Sequence, residues 1–398
     1  MVLQPVDRNA HYRERRRKQR RRRQVRRTVA IAVLVVFAAG VAYAARVITA
    51  EGQAAKPPER AAQVVQQAKN NAVRPMQPPK VMRGLHVTMA LASIPGKLEE
   101  YLALGGLNTI QLDVKDENGE IGFIPSSVPL ASRIGSGKPY YKPRVVAKKI
   151  HDKGMYLVGR VVVMEDPVLS LQRPDLAIRT TSGGRWLNHA GLGWSNPYDE
   201  RVWKYNVDVA EAAARTGFDE IQFDYVRFPS DGDMTSVVFP GKTSTPPAWV
   251  IAEFVHYASK RLKPLGVRVS ADVFGLSATR DLGIGQLPKR IGRYLDAVYP
   301  MVYPSHFGPG EYNLDDPNSN PGATVAYALR DFNRQLAGTT VRIIPWLQDF
   351  SWNRTYTLAD VQAQIDSARR AKTGGYLLWN AAGIYTPGAV EAARWRGY

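Results

Sequence analysis

Two aspartates, Asp224 and Asp272, combine the residue type and the positions that cleavage of a sugar linkage requires. Each lies near the end of a short apolar segment of β type, at 218–226 (FDEIQFDYV) and at 267–274 (VRVSADVF). Hydrolysis of a glycosidic bond needs one protonated carboxyl that donates to the leaving oxygen and one ionised carboxyl that acts as nucleophile or activates water. We expect Asp224 to be the nucleophile or base and Asp272 the acid, and the sequence also allows the reverse assignment.

Alternation of side chains along a strand points both aspartates to the inner face of a sheet. In the first segment Ile221, Phe223 and Tyr225 are expected to face covering helices, so that Gln222 and Asp224 face the other way. The same alternation turns further polar side chains inward: His86, Thr88, Gln111, Asp113, Arg160, Arg268, Ser270 and Asp272. Polar groups inside a barrel are costly unless they pair or reach solvent at its mouth.

Three inward acids, Asp113, Asp224 and Asp272, fall within the last residues of their segments, where a barrel has its functional face. Asp113 is a third candidate, for stabilising the transition state or binding substrate hydroxyls. Arg227, three residues after Asp224, could lower the pKa of that aspartate and keep it ionised. The alternative is that some of the acids form a buried salt-bridge network with nearby arginines: Arg160, Arg227 or Arg268.

The segments after the strands are rich in aromatic and amide side chains: Trp186, Asn188, His189, Trp194, Asn196, Tyr198, Tyr303, His306, Tyr312, Trp346, Trp352, Trp379 and Asn380. Aromatic rings stack on the C–H faces of sugars and amides bind hydroxyls, so this composition suits carbohydrate. The predicted substrate-contacting residues are Asp113, Arg227, Gln222, His86, Trp186, Trp194, Tyr303, His306, Trp346, Asp349, Trp379 and Asn380. For any single tryptophan the alternative is a place in the core, especially for Trp346 and Trp379, which lie within predicted strands.

Eight apolar segments of β type alternate with helix-length amphipathic segments. The predicted strands are 83–89, 107–114, 155–164, 218–226, 267–274, 295–303, 341–347 and 375–380. Repeated strand–helix alternation indicates a parallel sheet. Eight repeats between residues 81 and 398 predict an α/β protein with the (β/α)8 barrel fold.

Loop lengths favour the barrel independently. Helix-to-strand connections are short, whereas strand-to-helix connections are long: 115–142, 165–197, 227–247, 304–321 and 348–357. Elaboration at the C-terminal ends of the strands builds a site on one face. A doubly wound open sheet is the competing architecture, but it usually has a Gly-rich phosphate turn after its first strand, and HVTMALASIPG is not one.

The N-terminal region predicts a membrane-tethered protein. The chain of 398 residues has a net charge of +19, of which the first 27 residues, a basic cytoplasmic tail, contribute more than half. An apolar stretch from Thr28 to Ala45 without any charge follows, and it predicts a transmembrane signal-anchor over 28–48. A Pro/Ala/Gln-rich linker over 49–80 and the catalytic domain over 81–398 are expected after it. A cleaved signal peptide with a site at Ala42-Tyr43-Ala44 is the alternative. Either way the domain is expected outside the cytoplasm, and the position of the basic run before the span argues against a nucleic-acid arm.

The chain contains no cysteine, which excludes a disulfide framework, a catalytic thiol and cysteine-ligated zinc. Its six histidines have no zinc-like spacing. The acidic turns at 116–120 and 231–233 lack the spaced ligands of a calcium loop. We therefore expect no metal and no cofactor.

Several motifs together resemble one family. GFDEIQFDYVRFPSDG, VSADVFG, VYPMVYPSHF, PWLQDF and GGYLLWNAA follow one another from residue 217 to residue 382. In this order they resemble the bacterial "putative glycoside hydrolase domain" family of exported TIM barrels. The resemblance covers residues 81–398. The resemblance implies a TIM barrel and hydrolysis of polysaccharide, with the motif aspartates Asp224 and Asp272 carrying the chemistry.

The leading hypothesis is a glycosidase, retaining or inverting, that acts on a cell-envelope or extracellular polysaccharide. A non-catalytic glycan-binding or envelope-scaffold protein is the alternative, and it predicts binding without release of reducing ends. A barrel lyase or metal-dependent hydrolase is a third hypothesis, which predicts unsaturated products or chelator-sensitive activity.

Overall fold

Eight parallel strands form the sheet in this computed structural model, which describes residues 75–390. The strands are β1 (Met82–Val87), β2 (Thr109–Lys115), β3 (Tyr156–Val162), β4 (Glu220–Asp224), β5 (Arg268–Phe274), β6 (Ala297–Met301), β7 (Arg342–Ile343 and Trp346–Gln348) and β8 (Gly375–Trp379). Neighbours in the chain pair with one another, and β8 pairs with β1, so the sheet closes on itself. The predicted (β/α)8 barrel is confirmed, and the doubly wound open sheet is excluded.

Strand β7 is the irregular member of the barrel. Its first part pairs with β6 through two residue pairs, and its second part pairs with β8 and meets β6 at one residue pair, Trp346 opposite Met301. Pro345 lies between the two parts. Because proline has no N–H to donate, the hydrogen-bond ladder is interrupted there.

Every strand-to-strand connection contains at least one helix. The α-helices of the described residues are α1 (Met89–Ser93), α2 (Lys97–Leu102), α3 (Pro129–Ile134), α4 (Pro143–Asp152), α5 (Pro167–Gln172), α6 (Glu200–Ala214), α7 (Pro247–Leu262), α8 (Pro288–Ile291), α9 (Pro321–Gln335) and α10 (Leu358–Arg370). Many begin with proline, whose missing N–H costs nothing in a first helical turn. Helix α10 begins instead with a capping box formed by Thr357 and Asp360.

The helices bury one apolar face against the outside of the sheet. In α6 the buried side chains Val202, Tyr205, Val209 and Ala213 recur at spacings of three and four residues. This packing forms the outer layer of the core.

The inside of the barrel contains stacked polar side chains. At the lower end of the barrel, where the strands have their N-terminal ends, Glu220 accepts hydrogen bonds from the hydroxyls of Ser270 (2.5 Å), Tyr299 (2.8 Å) and Tyr156 (3.0 Å). One level up, Gln111 Nε2 donates to Gln222 Oε1 at 2.5 Å. The acids predicted to do chemistry lie above these layers, at the C-terminal ends of the strands.

Two of the predicted inward side chains lie elsewhere. Arg268 is exposed, and its guanidinium is 3.4 Å from Asp296, because it is the first residue of β5 and lies on the lower rim. Thr88 follows β1 and caps α1, where its hydroxyl accepts from the backbone N–H of Leu91. The prediction that Arg268 faces the inside of the barrel is therefore wrong, and Arg268 takes no part in the buried salt-bridge network considered as an alternative.

The described end of the predicted linker is attached to the lower end of the barrel. The backbone N–H of Met76 donates to Asp219 Oδ1 at 2.7 Å, and Arg342 donates to the carbonyl of Pro79 at 2.9 Å. Within residues 75–390 no helix combines the length and apolarity needed to cross a membrane. The predicted basic tail, the predicted span over 28–48 and residues 49–74 of the predicted linker lie outside the described residues.

Candidate active site

A cavity of about 620 Å³ opens where the strands end at their C-terminal side. Barrel enzymes build their sites on this face. Of the residues predicted from sequence, those that line the cavity are Asp224, Asp272, Arg227, Tyr303, His306, Trp346 and Trp379. The predicted pair of acids therefore shares one solvent-reachable space.

Asp224, the last residue of β4, receives three N–H donors. Arg160 donates to Oδ2 through Nε (2.9 Å) and Nη2 (2.8 Å), and the backbone N–H of Tyr225 donates to Oδ1 at 2.7 Å. An ionised carboxylate accepts hydrogen bonds and donates none, so three N–H donors are suitable partners for a carboxylate at this position.

Asp272 on β5 has a different environment. It is only 1 % exposed, and its Oδ1 accepts a hydrogen bond of 2.7 Å from the indole Nε1 of Trp346. Burial and the negative charge of Asp224 raise the pKa of Asp272 well above its ordinary value. Both influences favour the protonated form of the Asp272 carboxyl.

Register places the two acids side by side. Gln222 lies opposite Ser270 and Phe223 opposite Ala271, so the next residues, Asp224 and Asp272, occupy the same level on neighbouring strands. Adjacent strands are about 4.8 Å apart. Two carboxyl groups at one level, one bound by an arginine and the other buried with a raised pKa, have the kind of contrasting environments that acid–base catalysis uses.

Arg160 forms the buried ion-pair network that sequence alone allowed as an alternative. Besides Asp224 it donates to Asp113 Oδ1 (2.9 Å) and Glu117 Oε2 (3.2 Å). Arg227 makes no ion pair with Asp224, whose carboxylate is bound by Arg160 on β3, but the charges of Arg227 and Asp224 interact at a longer distance. An effect of Arg227 on the ionisation of Asp224 stays a prediction.

Tyr225 lines the cavity, although strand alternation predicts that it faces the helices. Its φ is +49°, in the left-handed region that non-glycine residues seldom adopt. This left-handed conformation directly after Asp224 ends the alternation of the strand, so that the side chain of Tyr225 points toward the cavity. Strained backbone of this kind is often found at functional sites.

Aromatic rings form much of the remaining wall. The rings of Trp346 and Trp379 meet edge to face with their centroids 5.5 Å apart, and the guanidinium of Arg160 lies 5.2 Å from the centroid of Trp379. Tyr303 and His306 contact each other further along the wall. Trp346 is almost fully buried, so its contribution to the site is its N–H on Asp272 rather than an open ring face.

Three predicted substrate residues lie within the barrel, below the cavity. His86 is 1 % exposed, hydrogen-bonds to Gln111 and stacks on Trp379 at 4.2 Å between ring centroids. Gln222 accepts from the same Gln111. Asp113 is bound by Arg160. These side chains support the cavity floor instead of lining it.

Two predicted tryptophans belong to the packing of the loops. The indole of Trp186 donates to the carbonyl of Asp233 at 2.9 Å and is buried. Trp194 is also buried, with its ring under the guanidinium of Arg227 at 4.8 Å. Neither side chain lines the cavity, because the long loops fold back over the barrel and bury their own aromatic residues.

Asp349 and Asn380 fasten the last described segment of the chain. Asp349 accepts from the backbone N–H and the hydroxyl of Thr386, and Asn380 donates to the carbonyls of Asp349 and Ile384. Neither residue lines the cavity. They are placed to hold the segment after β8.

Two glutamates near the mouth were missed. Glu117 is half-exposed. Burial, the largest single influence, raises its pKa, but the charge and hydrogen bond of Arg160 together with a backbone hydrogen bond and His86 lower it by more in sum, so that the net pKa is lowered. Glu165 is buried and accepts from Asn188 Nδ2 at 2.8 Å, and burial raises its pKa to about 7. Glu117 lies two residues after the end of β2 and Glu165 three residues after the end of β3, and this position just beyond a strand end was the available signal. Among residues 75–390, no cluster of His, Asp and Glu side chains has the geometry to hold a metal ion.

Comparisons with known proteins agree with this architecture. Residues 84–385 match a family model described as "Putative glycosyl hydrolase domain". No curated protein matches the chain. The glycoside hydrolase domain of PgaB (BpsB) from Bordetella bronchiseptica is 13 % identical, with a TM-score of 0.53, over 75 % of this chain and 94 % of that one.

Two further solved structures are similar over part of the chain. The C-terminal domain of a putative chitinase from Desulfitobacterium hafniense DCB-2 is 10 % identical, with a TM-score of 0.50, over 78 % of this chain and 96 % of that one. A hypothetical protein from Ruminiclostridium thermocellum ATCC 27405 is 36 % identical over 48 % of this chain and 97 % of that one, with a TM-score of 0.43. At 13 % and 10 % identity the first two likenesses concern the fold.

Proposed function

This chain belongs to the putative glycosyl hydrolase domain family, and from that premise we propose that it is a glycosidase using Asp224 and Asp272 as its two carboxyl groups. Family membership indicates a hydrolase with a carbohydrate substrate. The proposed substrate is a polysaccharide of the cell envelope or the extracellular space. The sequence of the N-terminal region, which predicts export and a membrane anchor, supports that location.

One observation carries the proposal: two acids at the same level of neighbouring strands line a single cavity in opposite electrostatic settings. Asp272 is buried and its pKa is raised by burial and by the charge of Asp224, while Asp224 accepts hydrogen bonds from three N–H donors. A pair of carboxyl groups whose environments differ in this way is typical of the acid and the nucleophile or base of a glycosidase.

In the proposed reaction Asp272 donates its proton to the glycosidic oxygen as that bond breaks. Asp224 either attacks the anomeric carbon, forming a glycosyl-enzyme that water later hydrolyses, or removes a proton from the water that attacks directly. Arg160 and the backbone N–H of Tyr225 keep the carboxylate of Asp224 in place. Trp346 binds one oxygen of Asp272 and leaves the other to carry the proton.

Release of reducing ends tests the proposal. The protein is incubated with a panel of envelope and extracellular polysaccharides beside Asp224→Asn and Asp272→Asn, and circular dichroism confirms that each variant is folded. We expect each variant to lose about 10²- to 10⁴-fold in rate. Undiminished cleavage by folded Asp224→Asn would refute the assignment.

A non-catalytic glycan-binding protein is the second candidate. The observation that favours it is the low exposure of both acids, 6 % for Asp224 and 1 % for Asp272, which structural ion-pair residues also show. It predicts that the wild type binds a glycan of the panel but releases no reducing ends. Binding is measured by calorimetry on the same preparations, so the two candidates are separated in one set of samples.

A further inference from the structure

Arg227 is a buried cation that makes no direct ion pair with another described residue, although the charges of Asp224, Glu165 and Asp231 act on it from a longer distance and raise its pKa against the larger effect of burial. Its side chain is on the cavity wall, and the residue is only 6 % exposed. No carboxylate oxygen of residues 75–390 lies within 4.0 Å of its guanidinium nitrogens. Burying an unpaired charge is costly, so a protein that does so has either a compensating structure or a ligand for it.

The surroundings compensate only partly. Nη1 donates to the carbonyl of Phe228 (3.0 Å) and to Ser230 Oγ (3.2 Å). Within the described part of the chain, Nε and Nη2 donate to no protein acceptor. These two nitrogens form one edge of the guanidinium fork, the edge that binds planar anions through two parallel hydrogen bonds.

Three aromatic rings fix the orientation of this fork. The guanidinium carbon of Arg227 lies 4.8 Å from the ring centroid of Trp194, 5.0 Å from that of Tyr225 and 4.7 Å from that of Phe274. Stacked rings shield the faces of a guanidinium and leave its in-plane N–H groups as the donors. Arg227 is thereby held rigidly with an edge free.

The neighbouring Arg160 shows what a structural arginine looks like here. It is equally buried, but it contacts three carboxylates, Asp113, Asp224 and Glu117. Both arginines line the same cavity. The contrast indicates that the Nε/Nη2 edge of Arg227, which no carboxylate of the described residues contacts directly, is available to a ligand in that cavity.

We propose that Arg227 forms a subsite for the carboxylate of an acidic sugar, so that the substrate is a uronate-containing polysaccharide. The proposal rests on the proposed glycosidase function, because it places the acidic sugar in the cavity of Asp224 and Asp272. The planar two-oxygen shape of a carboxylate matches the free Nε/Nη2 edge, and a neutral hydroxymethyl group would leave both donors unpaired.

Matched ligands test the subsite on the unaltered protein. Oligosaccharides of glucuronate, galacturonate and mannuronate are compared with their carboxyl-reduced counterparts, which keep the same rings and linkages. We expect at least one uronate oligosaccharide to bind about 10- to 100-fold more tightly than its reduced form, as charged hydrogen bonds typically give. Equal affinity within every pair would overturn the subsite.

Variants assign the preference to Arg227. Arg227→Gln should bring uronate affinity down to that of the reduced oligosaccharide, and Arg227→Lys should recover only part of it because the fork is lost. Arg144→Gln removes a charge from an exposed position on α4 and serves as the control that should bind as the wild type does. An unchanged preference in folded Arg227→Gln would refute the assignment.

The same assays keep the two proposals apart. If the protein cleaves neutral and carboxyl-reduced polysaccharides as fast as uronate polymers, and Asp224→Asn abolishes that cleavage, the glycosidase stands and the acidic subsite fails. If uronates bind with the expected preference but no glycan is cleaved, the subsite stands and the glycosidase fails.

Discussion

The indole N–H of Trp346 donates a 2.7 Å hydrogen bond to Oδ1 of Asp272. The contact joins the interrupted strand β7 to the acid on β5 across the barrel interior. It opposes the effect of burial and of the Asp224 charge, which together raise the pKa of Asp272. The acid therefore has both a fixed orientation and a pKa set by two opposing influences.

Replacing Trp346 should move the alkaline limb of the pH–rate profile. In Trp346→Phe the opposing hydrogen bond is absent, so the pKa of Asp272 rises further. Activity needs protonated Asp272 and disappears as pH rises through its pKa, so the limb should shift upward by about one pH unit, the equivalent of one hydrogen bond. The measurement is kcat/KM against pH. Trp352→Phe, at an exposed position, is the control, and a limb that does not move would contradict the proposed acid.

Leaving-group dependence should separate the roles of the two acids. Asp272→Asn cannot protonate a leaving oxygen, so it should lose about 10²- to 10⁴-fold on a natural linkage but much less on a dinitrophenyl glycoside, whose leaving group needs no proton. Asp224→Asn should be impaired on both substrates. Hydrolysis rates of the two substrate types check this. The opposite pattern would exchange the two roles.

Asp272 should also make the stability of the fold depend on pH. Its folded pKa is raised above the unfolded value of about 3.9, so the folded state binds the proton more tightly. Stability from this group is full below that value and is lost as pH rises toward the folded pKa. Asp272→Asn, which mimics the protonated form, should melt above the wild type at pH 8 and differ little at pH 4. Melting temperatures over this range provide the check, and an equal difference at both pH values would be inconsistent with a raised pKa.

Arg160 should be essential for stability, because removing it leaves buried acids unpaired. Arg160→Met is expected to lower the free energy of unfolding by about 3 to 5 kcal/mol. Adding Asp113→Asn should restore part of the loss, since one uncompensated charge is then removed. Urea unfolding measures both effects. Arg201→Met, which breaks an exposed ion pair with Asp199, is the matched control and should change stability little.

The barrel was predictable from sequence because its signals repeat. Each strand is an apolar segment bounded by turns, and the acids Asp224 and Asp272 fall at strand ends where alternation points them inward. Eight concordant repeats leave one parallel architecture, and closure then follows. That Asp224 and Asp272 are the catalytic pair remains a prediction. That both acids line one cavity was predictable from their positions in the strand pattern.

The remaining site features depend on contacts that sequence periodicity does not encode. Tyr225 points into the cavity because its backbone is in the left-handed region, a conformation that a tyrosine in the sequence does not predict. Arg160 rather than Arg227 binds Asp224 because position along β3, not sequence distance, decides which arginine reaches the carboxylate. Trp186 and Trp194 are core residues because long loops fold back on themselves.

The gap in the ladder at Pro345 gives the barrel a seam. Strands β6 and β7 are joined by few residue pairs, so backbone amides near this seam should exchange with solvent sooner than those of β2, which is fully buried and paired with both of its neighbours over four or more residue pairs each. Trp346 lies on the seam. Local opening of the sheet at this seam would separate Trp346 from Asp272, the proposed acid, without requiring the strands on the opposite side of the barrel to unfold.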